Sequence, residues 1–233
     1  MITKTGTFPC VGAELGGLIV RVLGGLEFLS MRAEESLEPM AEQVRDDVLQ
    51  MVRILERERL MQALQTDEMV PECAAYELRE ILESIPKDAG NVPALKGYRL
   101  ETAPGKQVFS VCDRDAVRRM TWCLIGARAA AGSRRIALDT YEAEDGVYIT
   151  VTGDGADPEK NGDKDVTQRE DMARALAALQ GGSLTVRNTA DGVCASVCLP
   201  PVTNGAKAEN DKREITPGIP LAELELAGLE AQG

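Results

Sequence analysis

Residues 134–153 read RRIALDTYEAEDGVYITVTG, and the spacing of their apolar side chains is the first constraint on the fold. Ile136 and Leu138 before Asp145-Gly146, and Val147, Ile149 and Val151 after it, fall at every second position. That is the period of a half-buried strand, and Asp-Gly between two such runs signals a hairpin. The pattern returns around Asp191-Gly192, where Val193, Ala195, Val197 and Leu199 share one strand face and Cys194 and Cys198 the other. A helix between the two hairpins stops at Gly181-Gly182. Upstream, short strands are expected near 97–101 and 107–111. A helix follows over 114–131, with Asp113 as N-cap and Asp115 in the first turn. This order predicts a mixed sheet layered with helices.

The N-terminal third has a different period. Val11, Leu15, Leu18, Val22, Leu26 and Leu29 recur at three- and four-residue steps over 10–33. Met40, Val44, Val48, Met51, Leu55, Met61 and Leu64 do so over 35–66, with Pro39 in the first turn. Two such helices joined by a short turn make an antiparallel hairpin, and its apolar stripes call for pairing with a second copy as a four-helix bundle. The faces bearing Val44, Val48, Met51 and Leu55 are assigned to that bundle core or dimer seam. Residues 71–85 predict a further helix, followed by a turn-rich linker, PKDAGNVPALKG. The expected class is α+β: a hairpin dimerisation domain over 8–68, a sandwich over 69–200 and a solvated, flexible tail over 201–233. The end of the tail, PLAELELAGLEAQG, has the pattern of a short amphipathic docking helix.

The chain of 233 residues carries 26 Lys and Arg against 38 Asp and Glu, a net charge of −12. This opposes nonspecific binding to nucleic acid or anionic membranes. No run approaches the roughly 20 apolar residues of a membrane span, and the N-terminus lacks a signal-peptide pattern. A cytoplasmic location is expected. The six cysteines form no C-x-x-C pair, which argues against zinc and for free thiols. GDGADPEKNGD lacks the twelfth-position glutamate of a calcium loop. No metal or cofactor is expected. The chain contains no histidine, which removes a histidine nucleophile, general base, metal ligand or phosphohistidine relay.

The segment VGAELGGLIVRVLGGLEFL, residues 11–29, carries two glycine pairs within its apolar length, each interior Gly costing roughly 1 kcal/mol relative to Ala. A helical hairpin followed by a helix-sheet sandwich resembles the core of a bacterial sensor histidine kinase. The first helix of that family bears H-E-L-x-x-P-L. Aligned on GLEFL, the motif falls on AELGGLI: Glu14 and Leu15 match, the phosphoacceptor position is Ala13, and the kinking proline is Leu18. Gly16 and Gly17 could supply the bend, while Gly24 and Gly25 suit close helix packing.

The resemblance covers nearly all of residues 10–200, but its nucleotide motifs are altered. VCDRDAVRRMTWCLIGARAAAGS resembles the helix that supplies two nucleotide-binding asparagines, and those positions are Cys123 and Ala127. Neither can serve phosphates and magnesium. VYITVTGDGADP resembles the strand and turn bearing D-x-G-x-G, whose aspartate binds adenine. Here that position is Gly153, the first glycine is Gly155 and the second is Asp157, with Asp154 one residue from the lost carboxylate. The second glycine box falls on TQRE, with Thr167 and Arg169 replacing glycines. The lid, about 158–166, is short for the family. Trp122 reads as packing, or as a plug for the vacated nucleotide pocket.

The resemblance therefore implies a kinase-like protein without kinase activity. It would act as a homodimer that binds a response-regulator receiver domain or a histidine kinase. Glu14, Leu15, Leu18 and Arg21 are the candidate contacts. A histidine phosphotransferase relative, natural or engineered to lack the acceptor, and an anti-sigma-type partner-switching protein are the alternatives.

Overall fold

Both hairpins form in the computed structural model, which describes residues 21–26, 38–66, 69–89, 97–155, 163–190 and 192–202, with positions 222 and 226. Helix α1 spans Glu38–Gln65, strand β1 Ala74–Glu77, helix α2 Leu78–Ala89, strand β2 Arg99–Thr102 and strand β3 Phe109–Cys112. Helix α3 spans Arg114–Ala130. Strands β4 and β5 are Arg135–Ala143 and Gly146–Asp154, helix α4 is Lys164–Leu179, and β6 and β7 are Ser183–Thr189 and Gly192–Leu199. Residues 21–26 are also helical.

The main sheet runs β2-β4-β5-β7-β6, with β2 parallel to β4 and the other pairs antiparallel. The alternating residues named above all point one way: Ile136, Leu138, Val147, Ile149, Val151, Ala195 and Val197 are buried. They form one core with Leu78, Ile81 and Leu82 of α2, Met120, Trp122 and Leu124 of α3, and Met172 and Leu176 of α4. A sheet with one apolar face needs such a layer, and the result is a mixed α/β sandwich.

The predicted helix at 71–85 is replaced by strand β1 and then α2. Ala74–Glu77 pairs antiparallel with β3, Ala74 opposite Cys112, so tertiary pairing overrides the helical pattern. Helix α2 also runs through Pro86 to Ala89. Proline cannot donate to the carbonyl four residues back; that carbonyl, on Leu82, instead accepts a long contact of 3.5 Å from the Thr102 hydroxyl.

Asp113 caps α3 as expected. Its Oδ1 accepts from the backbone N–H of Asp115 and Ala116, each at 3.0 Å. Oδ2 accepts from the Glu72 N–H at 2.9 Å, and the Asp113 N–H donates to Gln180 Oε1 at 2.8 Å. One residue thus ties the start of α3 to the segment leading into β1 and to the end of α4.

Val44, Met51, Ile54 and Leu55 of α1 are exposed in the single chain, as is Val22, whereas Leu49, Val52 and Leu60 are buried. A methyl group at Gly24 or Gly25 would meet nothing within 4 Å, so neither glycine serves close packing within the chain. In the segment expected to be a solvated tail, Ala222 and Leu226 are helical and buried in the main core cluster. No helix among the described residues is long and apolar enough to cross a membrane.

Asp113→Ala is expected to destabilise the fold by about 1–2 kcal/mol. The check is an equilibrium urea titration in which the midpoint falls at unchanged slope.

Candidate functional site

Helix α3 brings the two former asparagine positions to the sandwich interior. Cys123 and Ala127 are buried, and Ala127 packs with Ala131 and with Val166 of α4 in a small cluster separate from the main core. The first turns of α4 therefore cover the side of α3 on which the resemblance expects a nucleotide. Trp122 belongs to the main core, not to this cluster, so it is packing rather than a plug.

Gly153, at the adenine-aspartate position, ends the inward row of β5. A Cβ built there would lie 2.3 Å from Ser133 Oγ and 3.0 Å from Arg128 Cβ, so any side chain would displace the end of α3. Asp154 cannot take over: its Oδ1 accepts from the Arg135 N–H at 2.8 Å, which secures the start of β4. Gly155 adopts φ +56°, a conformation glycine accepts without strain. Asp157 lies outside the described residues.

The second glycine box lies inside α4. Thr167 is exposed, while Arg169 is buried and donates from Nε to Asp165 Oδ2 at 2.9 Å. Arg128 is wholly buried. Burial pulls its pKa below the ordinary arginine value, and the Glu170 carboxylate, ion-paired to Nη2, pulls it back. Among the described residues Arg128 Nε and Nη1 have no hydrogen-bond partner, and Glu170 is the carboxylate that pairs with its charge. Sequence reading missed this pair and Ser133. The available signal was a cation in the apolar run CLIGARAAA, where a buried charge demands a counterion.

Of the predicted partner contacts, Arg21 is helical and exposed. Ala13, Glu14, Leu15 and Leu18 lie outside the described residues, and so does the lid as far as residue 162. No group of three or more Cys, Asp or Glu that could hold a metal occurs among the described residues. Cys112 is buried in the core, and that burial pushes its thiol up to about 12, which leaves it protonated and inert at neutral pH.

On the sheet face away from the helices, Tyr141, Tyr148, Ser183, Thr185, Arg187, Ser196 and Cys198 line a groove of about 240 Å³. The tyrosine rings stack at 4.9 Å. Tyr148 donates to Asp145 at 2.7 Å, a bond that holds its phenol above the usual range.

No family model and no curated protein matches the sequence. Solved structures do. The histidine kinase AdeS of Acinetobacter baumannii superposes with a TM-score of 0.56 over 79% of this chain and 96% of that one, at 12% identity. Full-length ShkA, solved in complex with AMPPNP, superposes with a TM-score of 0.59 over 85% of this chain, at 18% identity. This chain spans 46% of ShkA. These are likenesses of fold, and the sandwich has a histidine-kinase-like ATPase fold.

Gly153→Asp is expected to lower stability by about 1–3 kcal/mol through overpacking and to create no ATP-dependent stabilisation. Thermal unfolding with and without ATP and magnesium checks both outcomes.

Proposed function

We propose that this chain is a catalytically inactive, histidine-kinase-like signalling protein that works by binding other proteins of two-component signalling. The observation that carries this reading is the burial of Cys123, Ala127, Gly153 and Arg169 against protein. Residues lining a nucleotide cleft are accessible, and these four are not. Cys123, Ala127 and Gly153 also offer no amide or carboxylate oxygen for magnesium or adenine, and Arg169 sets a side chain where bare backbone would approach phosphate. With no histidine anywhere in the chain, neither autophosphorylation nor phosphohistidine relay has an acceptor.

Binding is supported by the surface of α1. Met40, Val44, Met51 and Leu55 recur at four- and seven-residue intervals and are all exposed. An apolar stripe of this kind stays out of water in a partnered protein. A second copy, forming a four-helix bundle, is the partner we assign to it. The turn containing Glu14, Leu15, Leu18 and Arg21 is then the docking face for a receiver domain or a partner kinase.

In Met51→Glu/Leu55→Glu, two charges would enter the bundle seam. The variant is expected to sediment as a monomer with unchanged sheet signal in circular dichroism, while the parent sediments as a dimer. The parent's melting point is expected to be unmoved by ATP and magnesium. A saturable rise in that melting point would overturn the inactive-kinase reading and leave a nucleotide-switched regulator.

A further inference from the structure

Helix α1 rests on the face of α4 that carries the altered second glycine box, and the contact is polar and specific. Arg53 of α1 meets Asp165 Oδ1 of α4 at 3.0 Å, while Arg169 holds Oδ2 of the same carboxylate at 2.9 Å. Arg57 donates to Gln168, and Glu56 lies 4.0 Å from Arg119 of α3.

The spacing makes the contact a matched pair of helix faces. Arg53, Glu56 and Arg57 stand three and four residues apart on α1, in line with the buried Leu49, Val52 and Leu60. Asp165, Gln168 and Arg169 stand at the same intervals on α4. The stripe assigned above to a second copy, Met40 to Leu55, is a separate set of residues, so α1 presents one face inward and another outward.

We infer that the altered second glycine box has become an intramolecular docking surface whose occupant is this chain's own helix α1, so that α1 and the sandwich form one rigid body. Arg169 is the central positioning residue. Glycine at this position would leave Asp165 without its second cation. With Arg169 present, the carboxylate is fixed between two guanidiniums and presented to α1. Asp165 is 42% exposed, so solvent screens its individual pairs. The contact rests on the network and on the Leu49–Val52–Leu60 face beneath it. This inference does not depend on the signalling role: it concerns a contact within the chain and stands whether or not a partner binds.

Hydrogen exchange on the full chain tests it. In Asp165→Asn, amides of 49–60 are expected to exchange about fivefold faster, with β5 and β7 unchanged. Arg53→Gln should do the same. The double variant should be no faster than the quicker single one, because both remove the same link. Additive effects, or unaltered exchange over 49–60, would overturn the inference. Should a variant fail to fold, the parent protein decides at low and high salt. Selective loosening of 49–60 at high salt supports the docking surface, and exchange indifferent to salt refutes it.

Discussion

A buried cation sets the geometry around which the altered site is arranged. Arg128 is enclosed at the end of α3, and leaving a guanidinium there without a counterion would cost several kcal/mol. Helix α4 must therefore cross α3 where Glu170 reaches it. With that crossing set, Val166 falls on Ala127 and Ala131, and Asp165 and Gln168 of the same helix fall toward α1. The same arginine limits β5 from the other side: its Cβ, with Ser133, occupies the volume beside Gly153. The absence of a side chain at Gly153 and the charge at Arg169 thus answer to one packing requirement.

Packing of the sandwich rests on the inward rows of its strands. The strand residues that hold the layers together alternate along β4, β5 and β7 and are apolar apart from Thr140. Ala127 sits in the last turn of α3 and Gly153 at the end of the inward row of β5, while Cys123 lies in mid-helix and Thr167 and Arg169 lie within α4. An amide at position 127 or a carboxylate at position 153 would be buried, which is unfavourable without a partner. Small, apolar Ala127 and Ala131 leave room for Val166 of α4 to pack against α3.

What was legible in the sequence follows the same division. The β4–β5 and β6–β7 hairpins, the Asp113 cap and the stop at Gly181-Gly182 are local signals with periods of two or 3.6, and each stands where it was expected. Strand β1 was not legible, because four residues leading straight into a helix have no period of their own and pair with β3 through a partner more than thirty positions away. Persistence of α2 past Pro86 was equally hidden, since the group that meets its orphaned carbonyl comes from β2. At the site, the losses at Cys123, Ala127, Gly153, Thr167 and Arg169 could be read one by one. Their consequence could not, because Arg128 with Glu170 and Arg53 with Asp165 are pairings across 42 and 112 positions that only the fold brings together.

The distribution of charge completes the argument. Arg79, Arg118, Arg128 and Arg169 all have side chains at most 14% exposed, whereas their partners Asp139, Asp88 and Asp165 are about 40% exposed or more. Cations are used inside, as bridges between elements, and the carboxylates that balance three of them look outward, while Glu170, which balances Arg128, is only 13% exposed. The chain as a whole carries a net charge of −12. A field of that sign repels phosphate backbones and anionic lipid. The interior arginines hold helices in place while the acidic exterior restricts which surfaces can approach, and the exposed apolar stripe of α1 is the marked exception, the place where contact with another protein is least opposed.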